Sequence, residues 1–456
     1  MLAAGGNAVD AVVATALASS VADPCNIGIA GYGGYLVVHG SGEPHATCVQ
    51  FPLSAPAAIP AAALARTYPE EGPESSSVPG VLGGLERALA ELGSLPWSRV
   101  CEPAIRLARA GVVANATVRR ALEQNRHRAF VAECFAIDES PDRLLFRQPA
   151  LAATLESIAE KGARWFREGP LGEAACRAWA AARVPVSIDE WRRQDETAER
   201  VAASLHDADG VCLFGAPVEL SGAAVVAAAV AAARRIGAPA LGSNAGLADL
   251  ALEIGRIWER RLGKRAAPET AHTAHMNAAD AGGRVAALTA THGPAWFGGR
   301  WAIPGSGVIM NAGMHNFSRG ALVARGARRL GLSNMSPTIA LDSRGHRLAI
   351  GCPGARRIPS NIALVLARHF VSGLSLHESV AAGRLHAEDT ASVAYEEGRT
   401  EAALLRELSK RFASVQPLSW DDYFGPLTAI RASATGEVET AVDDRQAAGY
   451  SAVVTA

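Results

Sequence analysis

One segment of the chain carries threonines at a spacing that could do chemistry: ETAHTAHMNAADAGGRVAALTATHG, Glu269 to Gly293, which repeats Thr-Ala-His, passes a glycine turn and returns with Thr289 and Thr291. A threonine hydroxyl is a weak nucleophile until a base takes its proton, and the nearest base is the residue's own α-amine, with an ordinary pKa of about 7.7–8.0. Inside a chain that amine is locked in a peptide bond. It is freed if the hydroxyl attacks the preceding carbonyl and the resulting ester hydrolyses, which splits the chain. Such a nucleophile should open a strand, with a hairpin returning beside it to bring a second hydroxyl close. TAHMNAADAGGRVAALTAT offers that layout: a strand from Thr273, a turn at DAGG (280–283), and a return strand with Thr289 and Thr291 at alternate positions, hence on one face.

Other groupings compete for attention. His272, His275, His292 and His315 with Asp280 suggest a metal site, but the HxxH spacing lacks a helix or an intervening Glu, so no metal and no cofactor are expected. His272 then reads as a leaving-side residue and His275 as a strand residue facing core or sheet. Cys352 beside a glycine turn has no basic partner in sequence and reads as a buried thiol. Trp296, Phe297 and Trp301 line a pocket or simply pack. GIAGYGGYLVV fails as a phosphate loop, because its glycines follow a helix and open a strand, the reverse of the order such loops need.

The elements that must hold these residues are legible from caps and periodicity. Asn7 stands at an N-cap, Asp10 three residues on, and Pro24 just past the end, so GGNAVDAVVATALASSVADP is a helix whose Ala/Val surface implies tight burial against a sheet. Ser77 to Leu122 reads as two helices broken at GSLPW, and Glu123 to Ala182 as mostly helical. A strand, a turn and a small-residue helix follow around Leu220–Ala233, a run too short to cross a membrane. From Thr273 short strands alternate with Gly/Asp turns, a helix is expected over Asn361–Ser372, and strands close the chain. Helices first and hairpins later, without βαβ alternation, predict an α+β fold with antiparallel sheet. The 456 residues carry a net charge of -1 with no basic block, which argues against a nucleic-acid partner, and the seven scattered cysteines suit a reduced cytoplasmic protein. Met1 is followed by no basic signal-peptide region. No signal peptide is therefore expected; the chain opens inside a structural element, which leaves room for a start, and an export signal, further upstream.

TAHMNAADAGGRVAALTAT resembles the "TTH…D…G…T.T" processing site of the γ-glutamyltranspeptidase family. Further blocks follow in the family's order: GGNAVDAVVATALASSVADP with GIAGYGGYLVV, VPGVLGGLERALAELGSLPWSRVCEPAIRLARAG, APVELSGAAVVAAA, SNMSPTIAL, IGCPGARRIPSNIALVL, and FGPLTAIR with VDDR. Counted from Thr273, the residues Asp280, Gly283, Thr289 and Thr291 fall on the family's pattern; counted from Thr270 they do not. The resemblance implies a four-layer αββα sandwich of the N-terminal-nucleophile hydrolases and scission between His272 and Thr273. Two fragments, 1–272 and 273–456, would then share one core as a heterodimer. It also implies an oxyanion site at Gly354 and Ala355, where the family has two glycines. Thr291 would bond the Thr273 hydroxyl, and Ser333 and Asn334 would replace a Ser-Ser pair near the substrate carboxylate.

The departures bear on substrate. The family's carboxylate-binding Arg is missing, with Pro52, Leu53 and Ala61 in that stretch, and its NNQMDDF reads NAGMHNF, giving Gly313, His315 and Asn316. Losing a carboxylate that pairs with an ammonium leaves the charge unpartnered. The resemblance thus implies a threonine amidohydrolase or acyltransferase acting on a small-molecule amide without a free α-amino-acid head, with His315, Asn316, Arg356 or Arg66 as new contacts. That reading is preferred; a true γ-glutamyl hydrolase/transpeptidase with a rebuilt grip and a non-catalytic scaffold are the alternatives, the last motivated by the changed glycine pair at Gly354–Ala355 and by the helix GLADLALEIGRIWERRLGKRA, which runs almost directly into Thr273.

Overall fold

A computed structural model describes residues 1–60, 64, 66–193, 198–207, 210–219, 221–262, 272–319, 333–419, 424–433, 437–445 and 452. Helix α1 (Ala8–Ala22) starts where its cap predicts: Asn7 Oδ1 accepts from the amides of Val9 and Asp10 at 2.8 and 3.2 Å, and Asp10 Oδ2 accepts from the Asn7 amide at 2.6 Å. Such a cap is worth about 1 kcal/mol. Asp10 also accepts from Ser94 Oγ and the Ser94 and Leu95 amides, which fastens the GSLPW break between α2 (Val81–Leu92) and α3 (Trp97–Ala110) to the start of α1.

Two antiparallel sheets form the frame. Sheet I comprises β1 (Gly33–His39), β2 (Thr47–Phe51) and β3 (Glu199–Ala202), with β6 (His272–Ala279) and β7 (Val285–Gly293), in the order β3-β2-β1-β7-β6. Sheet II comprises β4 (Ser204–Asp207), β5 (Val211–Gly215), β8 (Thr338–Asp342), β9 (Arg347–Gly351), β10 (Thr428–Ala432) and β11 (Val438–Val442), in the order β11-β10-β9-β8-β5-β4.

Strand alternation sorts the side chains by face. Leu36 and Val38 of β1 and Ala286 and Leu288 of β7 join one apolar cluster with α1, α2 and α3, while Tyr35, Val37, Val285 and Ala287 join another with Phe214, Ile339 and Ala349 of sheet II. On its other face sheet II presents Leu213, Ala340 and Leu348 to α4 (Ala223–Ile236), α5 (Asn244–Leu262) and α6 (Arg357–Phe370). The α+β class and the antiparallel sheets are as expected. No helix among the described residues is long and apolar enough to cross a membrane.

Two local expectations need correction. A further helix, Ala116–Asn125, follows the two read before Leu122, and the stretch to Ala182 holds a hairpin, Ala136–Ser140 with Arg143–Arg147, joined by Val112–Val113. Pro141 and Asp142 supply its turn, and Leu144 and Phe146 bury against Val118, Leu122 and Phe135, so turn chemistry overrode the helical surroundings. Helix α6 begins at Arg357 rather than Asn361, because Pro359 falls in its first turn, where an N–H has no partner to lose.

Candidate active site

The Thr273 hairpin forms as read: β6, a turn in which the Asp280 amide donates to the Arg284 carbonyl and the Gly283 amide to the Asp280 carbonyl, and β7. Asp280 serves the turn and the helix together, accepting from the amides of Arg284 at 3.1 Å and Ala8 at 3.0 Å. It is therefore a structural ligand of α1, and no His/Cys/Asp/Glu group able to hold a metal occurs among the described residues. Near the other end the register slips. Ala274 pairs with Ala290 but His272 pairs with Gly293, so Thr291 and His292 together oppose Thr273, a bulge of the sort that re-aims side chains beside active sites.

The bulge directs the Thr291 hydroxyl onto the carbonyl of His272, to which it donates at 2.5 Å, while its oxygen accepts from the Gly293 amide at 3.1 Å. In the uncut chain, then, Thr291 bonds the carbonyl ahead of Thr273, where the Thr273 hydroxyl had been expected as its partner. A donor on a carbonyl oxygen polarises that carbonyl toward attack. The residue carrying it is held by its side chain too: the His272 ring lies 5.5 Å from that of Trp296, and the Arg120 guanidinium sits 5.2 Å from the Trp296 centroid. Contacts of these kinds contribute about 0.5–1.5 kcal/mol each. Burial, with His292, Arg300, Arg357 and Arg120 nearby, pushes His272 down to about 3, so its ring is neutral.

Thr273 itself is 4% exposed and opens on a cleft. Tyr32, Gly293, Pro294, Asn316, Ser333, Asn334, Met335, Ala355 and Ile358 line it around about 370 Å³ of empty space, part of it open to solvent. Four other candidates from the sequence, Asn316, Ser333, Asn334 and Ala355, thus meet Thr273 in one place. Two of the four are braced locally: Ser333 Oγ accepts from the Met335 amide at 3.1 Å, and Asn316 Nδ2 donates to the Gly313 carbonyl at 3.3 Å.

The loop Cys352–Arg356 delivers Ala355 from the end of β9 to the start of α6. The amides of Gly354 and Ala355 donate to no acceptor among the described residues, while their carbonyls accept from Arg357 and Ile358. Ala355 has φ 54°, so the alanine stands in the left-handed region that its glycine counterpart would occupy freely. A methyl there costs about 1–2 kcal/mol of backbone strain.

Several candidates lie elsewhere. Arg356 is buried in an ion pair with Glu388 at 2.7 Å, and Arg66 stacks over Tyr68 at 4.7 Å, so both are engaged away from the cleft lining. His315 is half-buried and not among the lining residues, and Gly313 is packed so closely that a Cβ would meet Ser77 Oγ at 2.4 Å. Leu53 is buried in the core between the sheets; Ala61 and Thr270 lie outside the described residues. Cys352 is a buried thiol pushed up to about 12 by desolvation, unsuited to nucleophilic work.

Sequence reasoning missed a polar chain on the same hairpin as Thr273. His275 Nδ1 lies 2.8 Å from Thr289 Oγ1 and Nε2 2.9 Å from Asn277 Oδ1, while Asn277 Nδ2 donates to the Thr428 carbonyl at 2.9 Å. Because Asn277 spends its amide on Thr428, its Oδ1 accepts from Nε2–H, and Nδ1 accepts the Thr289 hydroxyl. Burial pushes His275 down to about 4, keeping it neutral. A Cβ on Gly351 would sit 2.3 Å from the His275 ring, so only glycine lets β9 approach β6 this closely. Asn311 was missed as well: it accepts from the Ser77 amide and donates to the carbonyls of Ala30 and Ser77, fixing the loop that carries Asn316. The signal for both was polarity at strand and loop positions expected to be buried.

Comparison with known proteins bears on the family and the fold. The glutathione hydrolase proenzyme of Pseudomonas aeruginosa is 27% identical, the alignment covering 98% of this chain and 90% of that protein. The oxamate amidohydrolase proenzyme of Klebsiella pneumoniae is 33% identical over 202 residues, 42% of this chain and 38% of its own length. The crystal structure of cephalosporin acylase from Bacillus halodurans superposes with a TM-score of 0.85, covering 100% of this chain and 93% of that one; at 19% identity this speaks for the fold alone. The gamma-glutamyltranspeptidase family model matches residues 1–247 and 243–453, and the chain belongs to that family.

Proposed function

We propose that the protein is a self-processing threonine amidohydrolase or acyltransferase in which Thr273 is the nucleophile of both processing and turnover. The observation that carries this reading is the donation from the Thr291 hydroxyl to the carbonyl of His272, the carbonyl that Thr273 must attack. The Thr273 Oγ adds to that carbon, the His272–Thr273 C–N bond breaks, and the nitrogen takes the proton to become a free amine. Water then hydrolyses the ester, leaving a carboxylate on His272 and restoring the hydroxyl. In turnover the freed amine takes the Oγ proton, and Oγ adds to the substrate amide carbonyl with the oxyanion received by the amides of Gly354 and Ala355. The substrate C–N bond breaks as that proton passes to the departing amine, and water or an acceptor amine then takes the acyl group off Oγ. The proenzyme names of the two relatives support a two-fragment product, 1–272 with 273–456. The two sheets with helices on their outer faces support a four-layer αββα arrangement.

The acyl group differs from γ-glutamyl. Among the described residues the cleft lining offers Tyr32, Pro294, Met335 and Ile358 with neutral Ser333, Asn334 and Asn316, and none of these is an acid that would pair with an ammonium. That a family relative is named for oxamate supports a shift of acyl choice within this scaffold. Denaturing mass spectrometry tests the core of the reading: two fragments are expected, the second beginning Thr-Ala-His-Met, and Thr273→Ala should leave one chain with no activity. Splitting or turnover that survives Thr273→Ala overturns it. Brisk release from a γ-glutamyl anilide would overturn the change in specificity.

A further inference from the structure

We propose that the face of Trp296 is the seat of the acyl side chain: it holds His272 in the uncut chain and, after scission, takes a flat, uncharged group two carbons from the substrate carbonyl. This deepens the reading above and rests on it. The first acyl group that Thr273 carries is the chain's own, since attack on the preceding carbonyl makes an ester of His272 on Thr273 Oγ. What grips that side chain therefore lies within reach of any later acyl group on the same oxygen. The grip is the Trp296 ring, 5.5 Å from the His272 ring. Trp296 is backed by Arg120, whose guanidinium lies 5.2 Å from the ring centroid, and its backbone carbonyl accepts from Arg300 Nε at 3.4 Å. Gly293 and Pro294 join this platform to the cleft, for Gly293 pairs with His272 across the bulge and both residues line the space around Thr273.

Charge narrows the class of acyl group. Burial above all opposes protonation of the His272 ring, and His292, Arg300, Arg357 and Arg120 nearby act in the same direction. A field that refuses a proton on imidazole also refuses an ammonium on a substrate acyl group. The neutral imidazole on its methylene is thus a template for the substrate: a carbonyl, two carbons, then a planar ring.

The test uses the processed enzyme and three anilides. 3-Phenylpropionyl-p-nitroanilide places a ring where His272 places one, propionyl-p-nitroanilide lacks it, and phenylalanyl-p-nitroanilide adds an α-ammonium. The ring is expected to raise kcat/KM by about tenfold or more over propionyl, and the ammonium to lower it by at least as much. Trp296→Leu should abolish the preference for the ring while Trp296→Phe retains it, each read on split protein. Equal rates for the ring-bearing and ring-free anilides, tolerance of the ammonium, or an unchanged preference in Trp296→Leu overturns the assignment. If Trp296→Leu stays whole, the two wild-type comparisons still decide. Mass spectrometry of the wild type separates the two failures, because an unsplit chain removes the self-cleaving nucleophile, whereas a split chain indifferent to the ring removes the Trp296 seat alone.

Discussion

Ala355 is an L-residue at φ 54° lining the same cleft as Thr273, and strain of this kind persists where surrounding structure holds it. Ala355→Gly should relieve the left-handed penalty but loosen the unfolded chain, for a net gain of up to about 1 kcal/mol, seen as a higher urea midpoint with kcat undiminished. A lower midpoint would show that the methyl packs to advantage. Thr291 is the other decisive residue. Thr291→Val keeps the shape and deletes the hydroxyl on the His272 carbonyl, and splitting should slow by about 10²–10³, read from the intact-mass time course. Splitting at the wild-type rate would show that the 2.5 Å bond does no work in scission.

The hairpin β6–β7 depends on its neighbour β9. Its pairing gives the bulge at Thr291–His292, but the depth at which β6 sits comes from the contact of the His275 ring with Gly351. Gly351→Ala has nowhere to put a methyl: the ring must swing, breaking the links to Thr289 and Asn277, or the sheets must part. A cost of about 1–3 kcal/mol is expected, with slower splitting in the fraction that folds. The double variant Gly351→Ala/His275→Ala should recover most of that loss, because the obstructing ring is gone. If it recovers nothing, the close approach is set by other contacts.

Across the whole molecule, β1 and β2 from before residue 273 pair in one sheet with β6 and β7 from after it, and sheet II mixes the two segments as well. The proposed fragments should co-elute after scission, and 273–456 expressed alone should aggregate, since its strands would present unpaired edges. Buried histidines give the molecule a pH limit. His292 and His275 are each pushed down to about 4 by burial, against about 6.5 in an unfolded chain. Above pH 6.5 neither state holds these protons and they leave stability flat. As pH falls from 6.5 toward 4 the unfolded chain takes them up and the folded one refuses, so stability should drop by about 1.4 kcal/mol per pH unit for each histidine. Urea midpoints of the uncut Thr273→Ala chain between pH 4.5 and 7 measure this, and adding His292→Leu should flatten the slope by one proton.

The sequence by itself determined the elements that local chemistry dictates: the Asn7–Asp10 box and the DAGG turn. Caps, turns and strand periods are set by residues a few positions apart, and these read directly. It also named four of the nine other residues of the cleft, through the family pattern they sit in. Only the tertiary structure decided the rest. The partner of the Thr291 hydroxyl, the sign of φ at Ala355, the withdrawal of Arg356 to Glu388, and the meeting of His272 with Trp296 each depend on how distant segments stack. Their energies come from burial and close packing among parts of the chain up to hundreds of residues apart, and no local spacing encodes that geometry.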